Sequence, residues 1–191
     1  MSKIAVVVGS LRRESFNRRL AEAMTRLPAA EGHVFAFVEI GDLPLYNQDH
    51  DGNPPAEYAR LKGEIRACDG AMFATPEYNR SIPGSLKNAI DWASRPWGKN
   101  SFARKPSAII GTSPGKIGTA VAQQHLRSIL AFCNSPLMNA IEAYIEFTPG
   151  LITDDGEVTV DTTQEFLANY MKEFHAFIER VYMALPRGAE Y

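Results

Sequence analysis

Short apolar, β-branched runs alternate along the chain with segments whose apolar residues recur at helical spacing. Ile4 to Val8 is an unbroken buried-strand run, and Phe16, Leu20, Met24 and Leu27 follow at helical spacing behind Ser15, a good N-cap. Val34 to Val38 reads as the second strand. Beyond a polar, Pro-containing loop, Tyr58, Leu61, Ile65 and Cys68 mark one face of a second helix. Gly70 to Thr75 is the third strand. Pro83 then sits where a first helical turn tolerates proline, and Leu86, Ala89, Ile90 and Ala93 continue an apolar stripe as far as Arg95-Pro96. Ser107 to Gly111 predicts a fourth strand, residues 118 to 132 a fourth helix, and the weaker apolar stretch from Leu137 to Ile145 a fifth strand. Thr162-x-x-Glu165 predicts a capping box ahead of a last helix through Phe166, Leu167, Tyr170, Phe174, Ile178 and Val181.

Strands alternating with helices predict an α/β, doubly wound parallel sheet of five strands with helices on both faces. In such a sheet the strand order reverses once, and ligands bind in the crevice that the reversal opens at the carboxyl ends. No repeat, low-complexity tract or linker interrupts the pattern, so residues 1–191 are expected to form a single domain. The loops after strands one, three and four are therefore where chemistry is sought.

Composition narrows the partners. A net charge of -2 argues against a nucleic-acid protein that relies on a basic surface. No apolar stretch is long enough for a signal peptide or membrane span, so a cytoplasmic protein is expected. Cys68 and Cys133 have no C-x-x-C spacing and read as buried thiols. His33, His50, His125 and His175 show no metal-ligand spacing, and no metal is predicted.

The first loop, Gly9-Ser10-Leu11-Arg12-Arg13-Glu14-Ser15-Phe16-Asn17, leads straight into a helix N-terminus, whose free N–H groups favour an anion. Ser10, Ser15 and Asn17 add neutral hydrogen bonds and Arg12 a charged fork suited to a terminal phosphate. Leu11 and Glu14 stand where a dinucleotide fingerprint needs glycine, and Ile110 and Ile117 break a Walker A loop around Gly115-Lys116. A monophosphate is the better guest. The second loop, Pro76-Glu77-Tyr78-Asn79-Arg80-Ser81-Ile82-Pro83-Gly84, offers an aromatic ring, amides and backbone to a flat ligand. The third, residues 111–119, has three glycines that permit close approach of a planar ligand.

These segments resemble the NADPH-dependent FMN reductase family, particularly its quinone, chromate and azo-dye reductases. The likeness rests on G-S-L-R-x-x-S-x-N, on D-L-P-L-Y-N-Q-D at Asp42 to Asp49, and on P-E-Y-N-x-S-x-P-G-x-L-K-N-A-I-D-W at Pro76 to Trp92, the most specific of the three. It covers most of residues 3 to 134. The resemblance implies a flavodoxin-like fold with strand order 2-1-3-4-5. It assigns the FMN phosphate to Ser10, Arg12, Ser15 and Asn17, and the isoalloxazine to Pro76, Glu77, Tyr78 and Asn79 on one side and Ser113 and Gly115 on the other. NADPH or NADH would give hydride to the flavin, and a small-molecule acceptor (a quinone, chromate, an azo compound or free flavin) would then take the electrons. No catalytic side chain is required, since the flavin performs the chemistry. The resemblance also implies a homodimer or homotetramer, with Tyr78, Trp92 and Trp97 either on the subunit surface or packed in the core.

Two other readings compete. Gly111-Thr112-Ser113-Pro114-Gly115 fits a G-x-S-x-G nucleophile turn with Asp161 and His175 following in hydrolase order. Pro114, however, has no N–H to donate to an oxyanion. A flavodoxin-type electron carrier would bind FMN without oxidising NAD(P)H, and the modest charge of -2 disfavours its usual acidic docking surface.

Overall fold

The computed structural model describes residues 1–187. Its strands β1 (Lys3–Val8), β2 (Val34–Val38), β3 (Gly70–Ala74), β4 (Ser107–Ser113) and β5 (Ala143–Glu146) form one sheet of order β2-β1-β3-β4-β5. Every pairing is parallel. Helices α1 (Phe16–Thr25), α2 (Ala56–Arg66), α3 (Gly84–Ser94) and α4 (Ala120–Phe132) provide the four crossovers, and α5 (Asp161–Ala184) follows the last strand. This is the flavodoxin-like arrangement, with the reversal of order between β1 and β3.

Side-chain alternation along β1 divides the core. Ile4, Val6 and Val8 face Leu20 and Met24 of α1 and Leu167, Tyr170 and Phe174 of α5. Ala5 and Val7 face the other way, into Leu61 and Ile65 of α2, Leu86 and Ile90 of α3, and Leu126 of α4. Both faces of β1 are thus apolar because both are covered, which is why its sequence shows no period of two.

The third helix also anchors a long loop. Trp92, fully buried, donates from Nε1 to the Pro44 carbonyl at 2.7 Å. Asn88, one turn earlier, donates to the same carbonyl at 2.9 Å and accepts from Tyr46 N–H at 2.8 Å. The D-L-P-L-Y segment is therefore held by side chains of the motif that follows it. Trp92 packs with Tyr46 and Tyr58. It belongs to the core, whereas Trp97 is 78% exposed.

Three expectations are corrected. The fifth strand is confined to Ala143–Glu146; Leu137 makes only an isolated bridge to Ser107, and Arg127 holds Met138 O and Asn139 Oδ1 where the chain leaves the sheet. The last helix starts at Asp161 behind Val160 with no side-chain cap, so Thr162 lies inside the first turn and no capping box forms. The fourth helix starts at Ala120, because Gly118 has the left-handed φ of 60° that a helix does not contain. Cys68 and Cys133 are buried, and burial raises both thiol pKa values. Among the described residues no helix is long and apolar enough to cross a membrane, and no cluster of His, Cys, Asp and Glu could hold a metal.

Candidate functional site

The loops after β1, β3 and β4 meet at the carboxyl end of the sheet, across the reversal of strand order. Gly9 opens the first. Its N–H donates to Ala74 O at 2.8 Å, and a Cβ there would lie 3.0 Å from Thr75 Oγ1 and 3.1 Å from Leu86 Cδ2. Ser10 Oγ accepts from Arg12 N–H at 3.3 Å. Ser15 is buried and caps α1, its Oγ accepting from Arg18 N–H at 3.2 Å. Among the described residues no hydrogen bond takes up the N–H groups of Phe16 and Asn17, so they remain at the open helix end.

Asn17 lies in the first turn of α1. Its side chain is buried and engaged with β4: Nδ2 donates to Thr112 O and Oδ1 accepts from Thr112 N–H, each at 2.9 Å. The carboxamide ties two of the three loops together. A cavity of about 400 Å³ lies beside this loop, lined by Ser10, Arg12, Arg13, Ser15, Arg18 and Arg19. Its carboxylates are already engaged: Glu22 pairs with Arg18 at 2.8 Å, and Glu39 accepts from Ile40 and Gly41 N–H. Arg12 lies 5.1 Å from the Phe16 ring centroid.

The second loop turns tightly. Tyr78 and Ser81 exchange N–H···O=C bonds of 2.9 and 3.0 Å, and the two residues between them, Asn79 and Arg80, have φ of 51° and 65°. Positive φ at both central positions is the signature of a type I′ turn. Asparagine tolerates that region; arginine does so less readily, so the turn stores a little strain. Glu77 braces it. One carboxylate oxygen accepts from Val121 and Ala122 N–H at the start of α4, and the other pairs with Arg80 at 2.8 Å. Burial opposes the carboxylate charge, but the Ala122 and Val121 amides and Arg80 outweigh it and hold the pKa below the ordinary glutamate value. Tyr78 is half exposed.

In the third loop Ser113 Oγ donates to Gly118 O at 2.6 Å. Gly115 N–H donates to the same hydroxyl at 3.3 Å. A Cβ on Gly111 would lie 2.4 Å from the Thr75 carbonyl, so only glycine lets β3 and β4 end this close together. The hydrolase reading fails on this geometry. Ser113 uses its proton within the loop, and His175 stacks on His33, just ahead of β2 and so at the amino ends of the strands, with ring centroids 3.4 Å apart.

The structure thus gathers Ser10, Arg12 and Ser15 around one cationic cavity, places Pro76 to Asn79 on a braced turn, and sets Ser113 and Gly115 on the loop beyond it. Sequence reasoning passed over Thr112, Gln123 and His125. Gln123 is fully buried, donating to Thr119 Oγ1 and Ala143 O, and His125 Nδ1 lies 3.1 Å from Ser81 Oγ. Gln123 and His125 fall within an amphipathic helix pattern that marks a face and says nothing of polar partners.

Residues 2–150 match the family described as NADPH-dependent FMN reductase. The chain belongs to that family. Among reductases of known name, it is 50% identical over 176 residues to a 2-hydroxy-1,4-benzoquinone reductase of a Burkholderia species, covering 92% of this chain and 96% of that one. A quinone reductase of Pseudomonas putida is 45% identical over 177 residues, covering 92% and 94%. Among solved structures, the flavoenzyme FerB of Paracoccus denitrificans, an NAD(P)H:(acceptor) oxidoreductase, superposes with a TM-score of 0.90 at 44% identity, over 94% of this chain and 98% of that one. This member of the NADPH-dependent FMN reductase family is therefore an oxidoreductase by family, with the family's flavodoxin-like fold.

Proposed function

We propose that the chain is a single-domain, cytoplasmic FMN-dependent NAD(P)H oxidoreductase that delivers electrons to a small molecule such as a quinone, chromate, an azo compound or free flavin. The observation that carries this reading is the cationic cavity of about 400 Å³ at the open N-terminus of α1, lined by the loop after β1, by α1 and by the end of β2. A single phosphate fits that loop. Arg12 and Arg13 supply charge, the Phe16 and Asn17 N–H groups supply the helix end, and Ser15 can donate its O–H while its oxygen still accepts from Arg18. Asn17 contributes through its backbone, because its carboxamide is committed to Thr112.

The Pro76–Asn79 backbone would lie along one side of the flat ring system, with Ser113 and Gly115 across from it. When bound, FMN supplies the redox chemistry, accepting hydride from NADPH or NADH and passing electrons to the acceptor in a second, separate half-reaction. The chain's own work is binding and orientation. Glu77 and the type I′ turn keep the ring-side backbone in place, and the Asn17–Thr112 clasp fixes the spacing between phosphate loop and ring loop.

Exposure supports a homodimer or homotetramer. Trp97 and Phe132, 78% and 77% exposed, rim an apolar groove of about 670 Å³ between the ends of α3 and α4. Exposed aromatics around a groove of that kind mark an association surface.

Anaerobic absorbance of the FMN-saturated protein tests the reading. Bleaching of the flavin band by NADPH or NADH, followed by recovery when benzoquinone is added, is the expected result. Flavin that is retained but not bleached would make the protein an electron carrier, and failure to retain FMN would remove the site assignment.

A further inference from the structure

A second cavity, of about 310 Å³, opens at the amino ends of the strands, on the far side of the sheet from the crevice. It lies between the end of α2, the loop entering β4 and the end of α5. Among the described residues, Arg66, Arg104, Lys105 and Arg187 line it against one carboxylate, Asp69. That carboxylate is matched: Arg187 Nε lies 3.0 Å from its Oδ1, and Lys3 N–H donates to its Oδ2 at 2.8 Å. Even with Arg104 set aside, Arg66 and Lys105 leave an excess of positive charge.

Two features distinguish this cavity from a solvated basic surface. Lys105 is only 7% exposed. Its ammonium donates to the Cys68 carbonyl, and among the described residues no carboxylate lies within ion-pair distance of it. An ammonium has three donors, so two remain for another acceptor. Burial lowers its pKa, as expected of a cation without a bonded anion. Ser101 is 5% exposed and its hydroxyl is buried with no hydrogen-bond partner. Buried polar groups are rarely left unpaired, and those that are call for a missing partner. Arg66 spends one guanidinium N–H on Lys99 O at 3.2 Å and keeps the rest of its fork.

A buried ammonium, a guanidinium and an orphan hydroxyl around one small cavity ask for a compact guest with several acceptor oxygens and negative charge. We propose that this cavity is a second anion site, for a phosphate group that is either inorganic or borne by a small phosphomonoester, held by Arg66, Lys105 and Ser101. It stands apart from the crevice at the carboxyl ends and does not depend on the identity of the ligand bound there.

The test is a titration of inorganic phosphate into FMN-loaded protein, in chloride at matched ionic strength, followed by isothermal calorimetry. Loading with FMN keeps the titrant out of the crevice. Saturable binding is expected, weakened about tenfold in Arg66→Gln, the loss typical of a hydrogen bond to a charged group. Ser101→Ala should also weaken binding, while its thermal midpoint without phosphate stays at or above that of the parent, since an unpaired hydroxyl is removed. No saturable binding, or equal affinity in the parent and Arg66→Gln, overturns the proposal. Should the protein take up no FMN, the same titration on unloaded protein still decides, because binding at this cavity is sensitive to Arg66→Gln and insensitive to Arg12→Ala.

Discussion

Asn17 and Thr112 hold each other through two hydrogen bonds of 2.9 Å, donor to acceptor in both directions, across 95 positions of sequence. The side chain replaces a neighbouring strand for the last buried part of β4, and in doing so locks the first turn of α1 to the loop beyond that strand. Asn17→Ala would leave a buried N–H and a buried C=O without partners. The expected loss is about 2–6 kcal/mol of stability, from about 1–3 kcal/mol for each such group, read by urea denaturation. Asn17→Asp keeps the acceptor, loses the donor and adds negative charge beside the phosphate loop. It should weaken FMN binding more than it lowers stability.

The Arg12 side chain is exposed, with its guanidinium over the Phe16 ring and, among the described residues, no side-chain hydrogen bond or ion pair, so the fold does not need it. Arg12→Ala should reduce FMN affinity by about 1.5–3 kcal/mol, the worth of hydrogen bonds to a charged group, and leave the thermal midpoint unchanged. Fluorescence titration of FMN checks the first part and calorimetry the second. An unchanged FMN affinity would remove Arg12 from the site.

Glu77→Gln keeps the shape of the brace and removes its charge. A carboxylate capping a helix N-terminus is worth about 1 kcal/mol, and that loss is expected at neutral pH. The Glu77 pKa is depressed in the fold, so its contribution is present above the ordinary glutamate pKa and lost as pH falls through the lower folded value. The variant's stability should therefore converge on the parent's in acid. Parallel pH series of thermal midpoints would show this.

His175 and His33 stack in a half-buried pair. Burial, then the neighbouring His33 and the N-terminal amine, push the His175 pKa down to about 4, and burial also lowers that of His33. In the unfolded chain both titrate near about 6.5. The unfolded state thus binds protons first, so stability is full above that value and declines as pH falls from there toward the folded pKa. The slope for one such group approaches about 1.4 kcal/mol per pH unit. His175→Phe, which keeps the stacking and cannot titrate, should flatten this limb in a pH series of denaturation midpoints.

Trp97→Glu places a charge on the exposed rim of the groove between α3 and α4. A self-associated protein should shift toward monomer in light scattering, with no loss of thermal stability of the monomer beyond about 0.5 kcal/mol, as for an exposed substitution. An unchanged assembly mass would place the association surface elsewhere.

The architecture was legible because a parallel sheet covered on both faces writes itself as unbroken apolar runs, and Ile4–Val8, Val34–Val38 and Gly70–Ala74 all do so. The three loops were legible because glycines and a helix cap punctuate them. Ser15 fulfils its expected role as the cap of α1. The cap of the last helix was misread, because Thr162-x-x-Glu165 satisfies a pattern while the helix begins two residues sooner than that cap implies, at Asp161 behind Val160. The fifth strand was drawn too long, because a short run beside an irregular segment has no period to mark its ends.

What sequence by itself determined was therefore local: which residues extend, which coil, which turns can approach a ligand, and which family the motifs resemble. Tertiary structure alone decided where each polar group spends its hydrogen bonds. The Asn17 carboxamide is spent on Thr112, and the Glu77 carboxylate on the α4 amides and Arg80, pairings that neither residue's place in its motif announces. The second cavity follows the same rule, since Arg66, Ser101 and Lys105 meet only once the chain has folded. Helical and strand periods report which side of an element is buried; they hold no information on the partner that a buried polar atom finds across the fold, because that partner is set by packing between distant segments.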